Sequence, residues 1–267
     1  MTGWLFYTPE GASRNRAFID FWMTAAVKRG VRMEIHMTDD PLPAEKPDFA
    51  VVRAMDPAFS LRLEQRGVPV FNPASVSEVC NDKWKTYCLA SSLGVPFPKT
   101  VYVPDPAVLP LMSYPYVLKA CGGHGGTQVY LVHDEREARS ASEALKGVPC
   151  VLQEPVSDLG RDVRVYILGD RILAAMLRIS DTDFRSNFCL GGKAVPYTLS
   201  GEEIEMVRAF QSALPFGLAG IDFLFHEGKA VFNEIEDVVG CRMLYTHTEI
   251  RPVELYLDWI LQRIENL

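Results

Sequence analysis

The stretch Gly220-Ile-Asp-Phe-Leu-Phe-His-Glu-Gly-Lys-Ala-Val-Phe-Asn-Glu-Ile-Glu236 reads as two apolar strands around a turn at Glu227, Gly228 and Lys229. With a three-residue loop, Leu224 faces Phe232, Ile221 faces Ile235, and Asp222 lies opposite Glu234. Glu236 joins these two acids on one face, since strand side chains repeat every second residue. Like charges directly across a ladder repel. Three acids on one apolar hairpin are therefore poorly placed unless a divalent cation neutralises them, and hard oxygen ligands suit Mg²⁺. Asp222, Glu234 and Glu236 are the candidate metal ligands; charge that keeps a strand edge soluble is the plainer alternative.

Residues upstream suit a phosphate-bearing ligand for such an ion. Lys119 ends an apolar strand, and Gly122, Gly123, Gly125 and Gly126 follow it in the loop from Cys121 to Thr127. Such a loop lets backbone N–H groups approach phosphate oxygens while a nearby ammonium balances their charge. A purely structural turn between strands fits the same composition, and the loop is neither a Walker A sequence nor G-x-G-x-x-G. Gln153, Glu154, Pro155 and Val156 end a strand where a small middle region meets the last one; such junctions favour clefts, and an exposed strand backbone can meet an adenine edge. Asp162 and Arg164 share a strand face and Arg178 ends the next strand. The polar stretch Asp183-Phe-Arg185-Ser-Asn187 then leads to Gly191 and Gly192. Arginines beside a carboxylate cluster suit a bidentate grip on anionic oxygens.

A chain of 267 residues suits two or three small units sharing a cleft. The first part alternates strand and helix: strands at 4–8, 31–36, 49–53 and 68–71, helices at 13–29 and 57–66, the rhythm of a small parallel α/β sheet. Ser75 and Glu78 form a capping box that opens a helix carrying Lys83 and ending at Gly94. The middle part is strand-rich, with one helix started by Asp134. The last part holds strands at 163–168 and 172–179, a helix capped by Ser200 with Glu203, the hairpin, and a closing helix whose Ile250, Val253, Leu257, Ile260 and Ile264 make an apolar stripe. Six cysteines are scattered without a C-x-x-C pair, which fits reduced, buried thiols and offers no zinc site. No apolar run approaches a membrane span, the start lacks the basic head and cleavage site of a signal peptide, and a cytoplasmic setting is expected. A net charge of −7 argues against broad nucleic-acid binding.

In their order along the chain these pieces resemble the ATP-grasp superfamily, most closely its RimK-like carboxylate–amine ligases. The likeness runs from about Val76 to Gly240: Asn-Asp-Lys83 with Gly-Val-Pro-Phe-Pro-Lys-Thr100, Val-Leu-Lys119 and its glycine loop, Gln-Glu-Pro-Val156, Gly-Arg-Asp-Val-Arg164, Asp-Phe-Arg-Ser-Asn187, Gly-Ile-Asp222 and Asn-Glu-Ile-Glu236. The resemblance implies an α/β (α+β) ATP-grasp fold: a Rossmann-like N-terminal domain over 1–78, a small lid subdomain over 79–154, and an antiparallel-sheet subdomain over 155–267. It implies that Lys83 and Lys119 hold ATP phosphates under the glycine lid, that Gln153, Glu154, Pro155 and Val156 flank adenine, and that Asp162 lies near the ribose. Asp222, Glu234 and Glu236 would hold two Mg²⁺, with Mn²⁺ able to substitute, and Arg164, Arg185, Asn187 and Arg242 would surround the reacting phosphoryl group or the acceptor. The implied activity joins a carboxylate to an amine through an acyl phosphate. A nucleotide-binding sensor without turnover and a phosphotransferase remain the other readings, and pairing of two copies stays open. One departure stands out, because the family usually places Asn where this chain has Glu236. The turn from Asp237 to Arg242 also replaces a more polar one.

Overall fold

Four short apolar runs, β1 (Thr2–Tyr7), β2 (Arg32–Met37), β3 (Phe49–Val52) and β4 (Val70–Phe71), form an all-parallel sheet in the order β2-β1-β3-β4. Both faces are covered, as parallel sheets require. Leu5, Tyr7, Phe49 and Val51 enter one core, and Trp4, Phe6, Ala50 and Val52 enter another. This computed structural model describes residues 1–109, 112–181, 183–185 and 193–266, so Asn187, Gly191 and Gly192 lie outside the described residues.

The single helix expected over 13–29 is two. α1 (Pro9–Arg14) is capped by Thr8 and closed by Asn15, whose backbone N–H bonds the Gly11 and Ala12 carbonyls; α2 (Arg16–Lys28) follows. The closing helix α9 (Pro252–Ile264) starts with proline in its first turn, and its Val253, Leu257 and Ile260 enter the same core as Trp22 of α2. Arg29 clasps Asp258 across that contact, which ties the end of the chain to its beginning. α3 (Pro57–Gln65), capped by Asp56, covers the opposite face of the sheet.

The expected capping box at Ser75 and Glu78 does not form. α4 (Ala74–Cys80) begins directly after Pro73, and Glu78 pairs with Lys85 instead. Asp82 caps a second helix, α5 (Lys83–Ser92), by accepting from the Lys85 N–H. The break matters because it sets Lys83 in the first turn of α5 with its side chain buried.

A second sheet, in the order β5-β8-β6-β7, comprises β5 (Thr100–Val103), β6 (Tyr116–Ala120), β7 (Val129–Val132) and β8 (Cys150–Gln153). With α6 (Glu135–Ala144), capped by Asp134 as the sequence predicts, it closes a small core of its own around Leu118, Val132, Leu145 and Leu152.

The third sheet is antiparallel, in the order β11-β10-β9-β12-β13: β9 (Arg161–Leu168), β10 (Arg171–Ile179), β11 (Lys193–Tyr197), β12 (Leu218–His226) and β13 (Lys229–Glu236). One face packs Val163, Val165, Ile221, Phe223 and Phe232 against Tyr87 of α5 and Phe210 of α7 (Gly201–Ala213), which opens with the predicted Ser200–Glu203 capping box. The other face is apolar at one end, through Tyr166, Leu168 and Leu218, and charged at the other. A short helix, α8 (Arg242–His247), follows β13. Among the described residues no helix is long and apolar enough to cross a membrane.

The β12–β13 turn corrects the sequence reading. It holds two residues, Glu227 and Gly228, both at positive φ (51° and 74°), the backbone of a type I′ hairpin. Leu224 therefore pairs with Val231, and Phe223, rather than Leu224, faces Phe232. Asn233 then bulges as an extra residue, which restores Asp222 opposite Glu234 and Ile221 opposite Ile235. The bulge follows from packing: Phe232 and Ile235 are three apart yet share one core, which a regular strand of period two cannot achieve.

Candidate active site

The charged face is built by register. Arg164 of β9 lies beside Asp222 of β12, which lies beside Glu234 of β13, while Asp162 of β9 lies beside Arg178 of β10. Arg164 grips Asp222 with both arms of its fork, Nε to Oδ1 at 2.8 Å and Nη2 to Oδ2 at 2.6 Å, and Nη2 also reaches Glu236 at 2.8 Å. Arg178 bridges Asp162 and Asp222, each through Nη2 at 2.7 Å. Burial pushes Asp222 up, but Arg164 and Arg178 outweigh it and hold the carboxyl at about 2. Burial raises Glu236 in spite of Arg164, with Asp222 and Glu234 adding to the rise.

Two lysines face this group from the other side. Lys83 Nζ sits 3.0 Å from Glu234 and donates to the Gly123 carbonyl at 2.5 Å. Lys119 Nζ donates to Gln153 at 2.8 Å and to Asn233 at 3.0 Å. Burial pulls Lys119 down to about 8, with Glu234 opposing and Lys83 assisting. The bulge is what lets β13 present Asn233 to one lysine and Glu234 to the other. Asn233 escaped the sequence reading, although the three-residue spacing of Phe232 and Ile235 was the signal for it.

Between the lysines and the end of strand β8 lies an open cleft whose cavity volume is about 90 Å³. Lys83, Lys119, Gly126, Gln153, Glu154, Pro155, Val156, Asp162, Arg185 and Glu234 all line it. Within this set the Gln153 side chain is committed to Lys119, Tyr87 and Thr100, so only its backbone is available to a ligand edge. Asp162 is held by Arg178. Gly125 and Gly126 take positive φ (64° and 72°), and Gly126 accepts from Arg185 Nη1 at 2.5 Å, while Gly122, Gly123 and Gly125 do not line the cleft. Arg242 is exposed in the first turn of α8, away from the cleft lining. The expected role of Asn187 falls outside the described residues.

Magnesium fits the donor set. Asp222, Glu234 and Glu236 each offer an oxygen within 4.8 Å of the others. Lys83 pairs with Oε2 of Glu234 and Arg164 with Oε1 of Glu236, which leaves the second oxygen of each acid outside any ion pair among the described residues. Hard carboxylate oxygens so spaced suit a hard divalent ion.

With that geometry in view, the comparisons converge. The family model for the RimK-like ATP-grasp domain matches residues 80–260. A probable alpha-L-glutamate ligase of Haemophilus influenzae (strain ATCC 51907 / DSM 11121 / KW20 / Rd) is 28% identical over 205 residues, covering 74% of this chain and 68% of that protein. A probable alpha-L-glutamate ligase of Xanthomonas campestris pv. campestris (strain 8004) is 31% identical over 188 residues, covering 67% of this chain and 65% of that one. D-alanine–D-alanine ligase from Bacillus anthracis, solved with ATP, superimposes with a TM-score of 0.78 at 14% identity, covering 100% of this chain and 98% of that one. D-cycloserine synthetase DcsG does so with 0.79 at 15%, covering 99% and 100%. At such identities the structural likeness fixes the fold, which is ATP-grasp. The chain belongs to the RimK-like ATP-grasp family.

Proposed function

We propose that this chain is an ATP-dependent carboxylate–amine ligase working through an acyl phosphate. The observation that carries the reading is the cleft itself, with Lys83 and Lys119 on one side and the clustered Asp222, Glu234 and Glu236 on the other. A substrate carboxylate oxygen attacks the γ-phosphorus, the bond to the β-phosphate oxygen breaks, and ADP leaves. An amine then adds to the acyl carbon, phosphate departs, and the amine proton passes to solvent. Lys83 and Lys119 turn from their present carbonyl, carboxylate and amide partners to phosphate oxygens, which supplies charge where it develops. Arg185, already bonded to Gly126, ties the glycine loop down over the triphosphate and keeps water from the acyl phosphate. Glu154, Pro155 and Val156 border the adenine and Asp162 the ribose side.

Asp222, Glu234 and Glu236 would hold two Mg²⁺, or Mn²⁺ in their place, and the ions would supply Lewis-acid charge stabilisation to the phosphates. The charge count supports this: Lys83, Lys119, Arg164 and Arg178 stand against Asp162, Asp222, Glu234 and Glu236, and ATP carrying two divalent ions adds no net charge. Arg164 offsets the carboxylate that Glu236 brings where the family usually has Asn. The similarity to probable alpha-L-glutamate ligases supports an amino acid among the substrates. ADP release with a panel of amino acids and small peptides tests the reading, and hydroxylamine must trap the intermediate as a hydroxamate; turnover that never yields hydroxamate would sink the acyl phosphate.

A further inference from the structure

The carboxyl ends of the parallel sheet hold polar groups that the ATP cleft does not use. The chain leaves β1 toward β2 on one side and leaves β3 toward β4 on the other, so the crevice between β1 and β3 is where the connections diverge. Open α/β sheets take ligands at that point. Tyr7 is the last residue of β1 and Arg53 the first after β3. The Tyr7 hydroxyl and the Arg53 Nε are both buried and, among the described residues, neither meets a partner in hydrogen-bonding geometry, although the two side chains lie close enough to interact with each other. Arg53 spends Nη2 on the Val239 carbonyl at 2.9 Å and lies 5.0 Å from the Phe18 ring centroid, but no carboxylate ion-pairs with it among the described residues.

This crevice adjoins the chemistry. Val239 sits in the turn that follows Glu236, and the turn folds back over Gly220, where a Cβ would come within 2.7 Å of Val239 Cγ2. Tyr7, Asp237, Cys241 and Tyr256 all feel the Arg53 charge, so the guanidinium stands among them rather than in open solvent. Buried donors that meet no partner in hydrogen-bonding geometry call for an occupant. A guanidinium fork beside a hydroxyl can donate several hydrogen bonds to one planar anion, which describes a carboxylate.

We propose that Arg53, assisted by Tyr7, binds a substrate carboxylate other than the one being activated. The substrate is then either a donor with a second carboxylate or an amino-acid acceptor instead of a plain amine. This rests on the ligase reading above. The loss of such a contact is worth on the order of ten- to a hundredfold in affinity.

The experiment compares carboxylates with matching carboxamides in two arms: L-amino acids against L-amino-acid amides as acceptors, and dicarboxylic acids against their monoamides as donors. Two readouts run in parallel, KM from ADP release and calorimetric binding with Mg²⁺ and a non-hydrolysable ATP analogue. In one arm the wild type prefers the carboxylate by ten- to a hundredfold, and that arm identifies the source. Arg53→Met erases the preference while the KM for ATP stays within about twofold, Arg53→Lys retains part of it, and Tyr7→Phe weakens it a few-fold. Should Arg53→Met fail to fold, Arg53→Lys carries the comparison. Wild-type preference in the folded Arg53 variants overturns the proposal, as does a wild type that binds carboxylate and carboxamide alike in both arms. Absence of ADP release with every pair would remove the ligase reading, and calorimetric binding would still judge Arg53.

Discussion

The charged face of the large sheet and the glycine loop above it border one cleft and are held in opposite ways. On the sheet, Arg164, Arg178, Asp162 and Asp222 are buried and cross-linked by forked hydrogen bonds along three neighbouring strands. The loop belongs to a sheet with a separate small core, and among the described residues its side-chain ties downward are single bonds from Lys83 to Gly123 and from Arg185 to Gly126. The contrast teaches a division of labour. A preset charged floor costs no reorganisation when the reaction begins, whereas a cover held by a few bonds opens at low free energy.

The largest effect should come from the floor. Arg178→Met removes the guanidinium that bridges two buried carboxylates, Asp162 and Asp222, and is expected to cost about 3–5 kcal/mol of stability, read by urea unfolding; a loss below about 1 kcal/mol would show that the floor is not preset. Glu234→Gln should leave the fold intact by circular dichroism and lower kcat by on the order of 100- to 1000-fold, and near-normal turnover would remove Glu234 from the proposed metal set.

Lys119 sits between floor and cover. Lys119→Met should weaken ATP binding by roughly ten- to a hundredfold. Its ammonium is charged below about pH 8 and lost above it, while bound phosphate favours the charged form. ATP binding should therefore take up a proton above pH 8, and affinity should fall toward tenfold per pH unit there. Calorimetry in buffers of different ionisation enthalpy measures that uptake, and flat affinity from pH 7.5 to 9.5 would contradict it. The smallest effect belongs to the cover: Arg185→Ala should raise the KM for ATP a few-fold with stability changed by less than about 1 kcal/mol, since the side chain is partly solvated. Equal destabilisation by Arg185→Ala and Arg178→Met would dissolve the contrast.

The floor was legible where local pattern determines it. Asp222, Glu234 and Glu236 share a face because apolar residues alternate with them, and the N-cap at Asp134 and the capping box at Ser200 announce themselves by residue type. The turn was misjudged by one residue and the bulge at Asn233 compensated by one, so the acids kept their register although Phe232 changed face. Helix starts misled where two caps compete: Ser75 looked suitable, but Pro73 sets the start of α4, and Asp82 claims the next helix. Tyr7 and Arg53 were invisible because their meeting depends on strand order, which only the packing of the whole sheet decides. Arg178 was legible as an arginine beside the carboxylate cluster, but its place as a buried bridge between Asp162 and Asp222 depends on the strand register.

Asn233 has a consequence at the level of a single codon. Removing it would leave Val231-Phe232-Glu234-Ile235-Glu236 in strict alternation, with both aliphatic and aromatic anchors still inward and both acids still outward. The shortened hairpin would keep Asp222, Glu234 and Glu236, the acids proposed to hold the metal, on one face and forfeit only the amide that steadies Lys119. The proposed grip on a cation and the orientation of the ammonium are thus written in separable letters of the same strand.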